Sequence, residues 1–245
     1  MAKKLTSFPG VYNHYFARNE NSSCSAAQWQ RRQQRKQFEF RIAAITRIGS
    51  VLTVTIATNF AGNAGADPWA AVNGIGYGDV FLGQTWNPFG TDAHHVNDNA
   101  ADGTHWSYGL SLDNRWSNTG GTFKLYQLNG ASNADNIRNS ESFLTCQIGT
   151  QCYYRNGQTT AVKTASSTVS DTGLTGTWTV TANQELKFTI NVLSTDLVNF
   201  SSFAMHWGET CQNDVIEGAT RVVPEPGSIA PVSYTHLTLP TNREV

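Results

Sequence analysis

"ELKFTINV" (Glu185–Val192) decides how this chain is read. Leu186, Phe188, Ile190 and Val192 alternate with Lys187, Thr189 and Asn191, and a period of two is that of a strand with one face buried and one wet. The stretch before it, "TGTWTVTA" (175–182), has the same texture, and Ala182, Asn183 and Gln184 between the two make a hairpin connection. "SVLTVTIATNF" (50–60) repeats the pattern with Leu52, Val54 and Ile56 on one side and Thr53 and Thr55 on the other. "HWSYGLSLD", "TFKLYQLN" and "SSFAMHWG" behave alike, and in "YYRNGQTT" Asn156 and Gly157 suit the positive φ of a two-residue type I′ turn.

About ten such runs, with no convincing amphipathic helix between them, predict an all-β domain of two antiparallel sheets packed face to face, a jelly-roll-like β-sandwich. A closed barrel is the alternative. No repeat of solenoid or propeller length is present. Two turn-rich stretches, 61–78 and 87–104, are too long for simple hairpins and are the natural places for binding.

Composition agrees with this class. The 245 residues include 21 Gly and 7 Trp but only 2 Met, and charged residues make up 14 %, a balance that favours an exported all-β protein. The formal net charge of −1 hides an asymmetry, because 8 of the 17 Lys and Arg precede Ile42. Residues 42–230 carry 8 basic and 15 acidic side chains, a net of −7, which leaves no electrostatic footprint for nucleic acid. The basic run "QWQRRQQRKQ" (28–37) is a solvated or disordered leader rather than a phosphate-binding arm. Residues 1–37 are therefore set apart from a β-sandwich domain at 38–222.

The four cysteines stand at positions 24, 146, 152 and 211. Cys146 and Cys152, spaced C-x5-C, suit a small disulfide-closed loop, while Cys24 and Cys211 stay unassigned. Zinc would require further Cys or His at ligand spacing, and none is close in sequence.

Several stretches could carry chemistry. "NPFGTDAHHVNDNAADGTHW" (87–106) gathers Asp92, Asp98 and Asp102 with three histidines in one loop. Its oxygen-rich composition makes calcium the metal to consider, although the EF-hand template fails, with Ala100 third and Gly109 twelfth from Asp98. Asx turns on a solvated loop are the ordinary explanation. Trp69, Trp86 and Trp106 lie in or beside the long loops and are candidates for stacking on a sugar ring; Trp178 and Trp207, on apolar strand faces, read as core. His206 alternates with Met205 and Trp207 and is expected to face solvent or a cleft, with no partner to support catalysis. The retaining-glycosidase run E-x-D-x-x-E and the nucleophile elbow G-x-S-x-G are both absent, and Glu209, Asp214 and Glu217 are not spaced to share one strand face. The expectation is that the protein is not an enzyme.

"VPEPGS", formed by Val223, Pro224, Glu225, Pro226, Gly227 and Ser228, resembles the opening of the PEP-CTERM sorting signal of Gram-negative bacteria. "GDVFLGQTWNPFG" (78–90), "GTHWSYGLSLDNRW" (103–116) and "MHWGETCQNDVIEG" (205–218) are similar to blocks of surface proteins of that family. The resemblance spans roughly residues 42–230. It implies export, recognition by an exosortase, a transient membrane stay through a hydrophobic C-terminal helix, and delivery to the cell surface or extracellular matrix. The role implied is structural or adhesive; a carbohydrate-binding module directed at polysaccharide, with or without the help of calcium, is the alternative, and a glycoside hydrolase ranks below it. The sequence departs from the family after residue 230, where a spanning helix of about 20 apolar residues would be expected. "VSYTHLTLPT" (232–241) resembles translated adapter sequence from shotgun DNA libraries instead. Residues 223–230 are thus read as the start of the sorting motif and 231–245 as adapter-derived, and the missing signal peptide is read as a false start rather than a cytosolic life.

Overall fold

A computed structural model describes residues 17–18, 40–66, 68, 71–90, 102–144, 157–212 and 215–221. The strands are β1 (Ala17–Arg18), β2 (Phe40–Ile48), β3 (Val51–Thr58), β4 (Val80–Gly83), β5 (Tyr108–Leu112), β6 (Gly120–Leu128), β7 (Ile137–Asn139), β8 (Thr159–Val162), β9 (Val169–Thr181), β10 (Glu185–Asn191), β11 (Ser202–Gly208) and β12 (Val215–Arg221). A single helical turn, α1 (Asn133–Asn136), precedes β7, and two short 3-10 turns cover Ser140–Ser142 and Asp196–Asn199.

The hairpin read from the sequence is present. β9 and β10 pair antiparallel with Phe188 opposite Trp178, and β10 pairs β3 with Phe188 opposite Val54. Asn183 takes φ 58° in the connection, a left-handed conformation that asparagine tolerates better than most residues. The alternation expected of β3 and β10 is realised: Leu52, Val54, Ile56, Leu186, Phe188 and Ile190 are all buried. The Asn156–Gly157 turn lies partly outside the described residues, with only Gly157 seen, at φ +66°.

All-β and antiparallel are correct, but the ladders join into one sheet. Its order is β1-β12-β11-β4-β5-β6-β9-β10-β3-β2, and β12 comes close to β2, so the sheet nearly closes into a barrel. The two distinct stacked sheets expected from the sequence are not clearly separable in it. Alternation could not decide this point, because the inward faces of a barrel and of a sandwich have the same period.

Inside the wall lies one core, which takes Leu82 from β4, Leu110 from β5, Phe123 and Leu125 from β6, Trp178 from β9, Phe188 from β10 and Met205 and Trp207 from β11. Trp178 stacks on Phe188 at 6.0 Å between centroids and meets Tyr77 edge-on at 5.5 Å. The described part of 61–78 packs onto this core through Ala61, Ile75 and Tyr77, whose hydroxyl accepts from Gly62 N and donates to Asn118. Burial raises the Tyr77 phenol above its ordinary range. Tyr108 is raised as well, by burial and by the Asp196 carboxylate to which its hydroxyl donates.

Outside the wall is a second layer. β7 and β8 form a separate two-stranded sheet that lies over β5 and β11. Between this sheet and the wall sits a second apolar cluster of Phe81, Trp106, Leu128, Ile137, Val162 and Ala204. Phe81 alternates with Val80 and Leu82 on β4, and Ala204 with Phe203 and Met205 on β11, so both faces of these strands are buried. Gly109 permits the close approach: a Cβ there would lie 2.3 Å from Val162 Cγ2, well inside van der Waals contact.

Candidate functional site

The most concentrated polar chemistry among the described residues lies beneath the second layer. His206 of β11 stands directly across the ladder from Glu217 of β12. Its Nδ1 is 2.7 Å from Glu217 Oε2, and its Nε2 is 2.7 Å from the carbonyl oxygen of Thr159, where β8 begins. The other carboxylate oxygen, Glu217 Oε1, accepts the indole N–H of Trp86 at 2.9 Å. The imidazole is packed by Trp106 at 5.8 Å and Phe81 at 6.3 Å between ring centroids.

The expectation that His206 faces solvent or a cleft is thus corrected. Strand parity puts it on the outer side of the wall, opposite Met205 and Trp207, as the alternation indicates. The β7–β8 layer then covers that side, leaving His206 2 % exposed. Nothing local in "SSFAMHWG" signals this, since the covering contact, Thr159, is 47 residues distant in the chain.

A second polar knot holds the same layer. Asp79, fully buried, accepts from Leu112 N (3.1 Å) and Arg115 Nη2 (3.2 Å) through Oδ1 and from Val162 N (2.8 Å) through Oδ2. Its own amide donates to Thr160 O at 2.8 Å. One carboxylate therefore ties β4, β5 and β8 together. Sequence reading passed over it; the available signal was an acid standing directly before the wholly apolar run "VFLG" (80–83), where a buried charge must be paired.

No family model, no curated protein and no solved structure matches the chain. What the site can do has to come from its own geometry. A histidine acting as general acid or base must present a ring nitrogen to its substrate, and both nitrogens of His206 are already bonded within the protein. The carboxylate beside it resembles half of a catalytic dyad, but the arrangement joins β11, β12, β8 and the segment of Trp86.

The residues singled out from sequence are dispersed. Trp106 is buried at 2 % exposure in the second cluster and offers no ring face to a sugar in this arrangement. Trp86 is half-buried against that cluster, with its N–H fixed by Glu217, and Phe89 further along the same stretch is 49 % exposed. Trp178 and Trp207 are core residues, as expected. Asp102 is exposed. Among the described residues no group of three or more His, Cys, Asp or Glu gathers as a metal site. Trp69, Asp92, Asp98, Cys146, Cys152 and the sorting motif Val223–Ser228 lie outside the described residues. Cys211 is buried, with its sulfur 3.4 Å from Glu209 Oε2. No helix among the described residues is long and apolar enough to cross a membrane.

Proposed function

We propose that this is an exported, exosortase-sorted protein of the cell surface or extracellular matrix of a Gram-negative bacterium, with a structural or adhesive rather than catalytic role. The observation that carries the non-catalytic part is the engagement of both His206 ring nitrogens and both Glu217 oxygens inside the fold. The "VPEPGS" stretch at 223–228 and the resemblance of the blocks upstream support the sorting part. The scaffold reads as a flattened, sandwich-like barrel of jelly-roll kind, which is favoured by a single core drawing on β3 and β10 as well as on β4 and β11.

The test uses the gene in a host that carries its exosortase. With Pro224, Glu225 and Pro226 all changed to alanine, the protein is expected to be exported but to accumulate unprocessed, while the parent sequence reaches the surface. Equal surface delivery of the two would reject exosortase sorting.

Trp86 keeps the carbohydrate-binding alternative open, because a half-exposed indole with a fixed orientation, beside exposed Phe89, is a small platform of the kind sugars stack on. On this reading Trp86→Ala abolishes co-sedimentation with insoluble polysaccharide. Calcium assistance through Asp92, Asp98 and Asp102 predicts a higher Tm in calcium than in chelator, since a ligand that binds only the folded state must stabilise it. A melt unchanged by chelation removes the ion from the proposal.

A further inference from the structure

The hydrogen-bond inventory around His206 does not close unless the cluster holds an extra proton. Trp86 Nε1 can only donate, so Glu217 Oε1 accepts; the Thr159 carbonyl can only accept, so His206 Nε2 must carry hydrogen. That leaves His206 Nδ1 facing Glu217 Oε2 at 2.7 Å. A neutral imidazole protonated on Nε2 would there set a lone pair against a carboxylate oxygen, with the His206 side chain 2 % and the Glu217 side chain 13 % exposed. A proton between the two resolves the clash, whether it rests on nitrogen, giving an imidazolium–carboxylate pair, or on oxygen. Every other donor and acceptor role in the chain from Trp86 to Thr159 is fixed by chemistry.

We propose that this proton is a latch fastening the start of β8 to the barrel wall, so that rising pH releases it. Once the proton leaves, one of two short hydrogen bonds must go. If Nε2 keeps its hydrogen, Nδ1 and Glu217 repel; if the hydrogen moves to Nδ1, the bond to the Thr159 carbonyl is lost. The attachment holds while the shared proton is in place and is lost when base removes it. The rest of β8 is fastened differently, by Asp79, whose amide donates to Thr160 O and whose carboxylate accepts from Val162 N, so only the start of the strand, at Thr159 and before it, is free to lift.

Among the described residues, β4 presents Phe81 to the ring, the segment before β5 presents Trp106, β8 presents the Thr159 carbonyl and β12 presents Glu217. The acid just before β4, Asp79, is paired with Arg115.

Glu217→Gln separates a proton latch from ordinary packing. In that variant the carboxamide Oε1 accepts from Trp86 and its N–H donates to Nδ1 of a neutral imidazole, while Nε2–H still donates to Thr159; every bond is satisfied without the extra proton. Hydrogen exchange on the full chain, corrected to protection factors, is read over 157–163 at a series of pH values, with β3 and β10 as internal reference. The wild type is expected to lose protection there by roughly tenfold or more on the alkaline side, the scale of one charge-assisted hydrogen bond, and Glu217→Gln to stay flat. The same pH dependence in both proteins overturns the proposal, as does a flat wild type. Should the variant fail to fold, ring-nitrogen NMR of the wild type decides, with His206 assigned by the signal missing from His206→Gln: a proton-bearing or proton-sharing Nδ1 that is lost with the rise in pH supports the latch, and a bare Nδ1 at every pH overturns it.

Discussion

Asp79→Ala lowers the free energy of unfolding by about 3–5 kcal/mol, the usual cost of breaking a buried ion pair from one side. Alanine removes the acceptor for two backbone amides, Leu112 N and Val162 N, and for the guanidinium of Arg115, whose side chain is itself only 11 % exposed. Leu112 and Val162 are buried and Arg115 nearly so, so the loss includes the desolvation of these donors and not only the bonds. The effect is read as a fall in the urea midpoint at unchanged m. Asp79→Asn is expected to fall between, because one oxygen still accepts while the new N–H₂ faces a donor. A midpoint shift worth less than about 1 kcal/mol for the alanine variant would mean that the knot is solvated and that β8 is held by its apolar contacts alone.

Trp207→Ala is the second large effect, at about 3–5 kcal/mol for emptying a buried tryptophan site. The ring is completely buried in the inner core, and its N–H donates to the Gly78 carbonyl at 2.9 Å. Trp207→Phe keeps most of the apolar volume and drops that donor, so its cost is expected near 1–3 kcal/mol, the price of leaving a buried carbonyl short of a partner. Because Gly78 adjoins Asp79, the double variant Asp79→Ala, Trp207→Phe should depart from additivity, whereas sites far apart add. Equilibrium denaturation of the four proteins of the cycle checks both points; strict additivity would show that the Gly78–Asp79 backbone does not transmit the loss.

Most strands were legible because their cause is local. In Glu185–Val192 and Val51–Thr58 each side chain needs only to be apolar or polar in turn, and the buried set came out as alternation required. The β9–β10 turn was legible for the same reason, since Asn183 advertises its backbone conformation. The candidate site was much less so. Trp86 was noticed as an aromatic in a loop and His206 as a polar residue on an outer face, yet their common partner, Glu217, gave no sign of either contact. That pairing depends on the β11–β12 register. Asp79 was missed because its three partners come from β5, the segment after it and β8.

The sequence alone determined an all-β antiparallel chain, the inward residues of its longer strands and the core roles of Trp178 and Trp207, because all of these follow from side-chain alternation within a strand. Tertiary structure decided that the ladders run on into one nearly closed sheet, and that a second small sheet covers part of its outer face. It thereby decided that Trp106 and His206 are buried. Alternation specifies two faces of a strand but not what lies against either of them, and a polar residue on the outer face becomes a clamp only when distant segments bring it a cover and a partner.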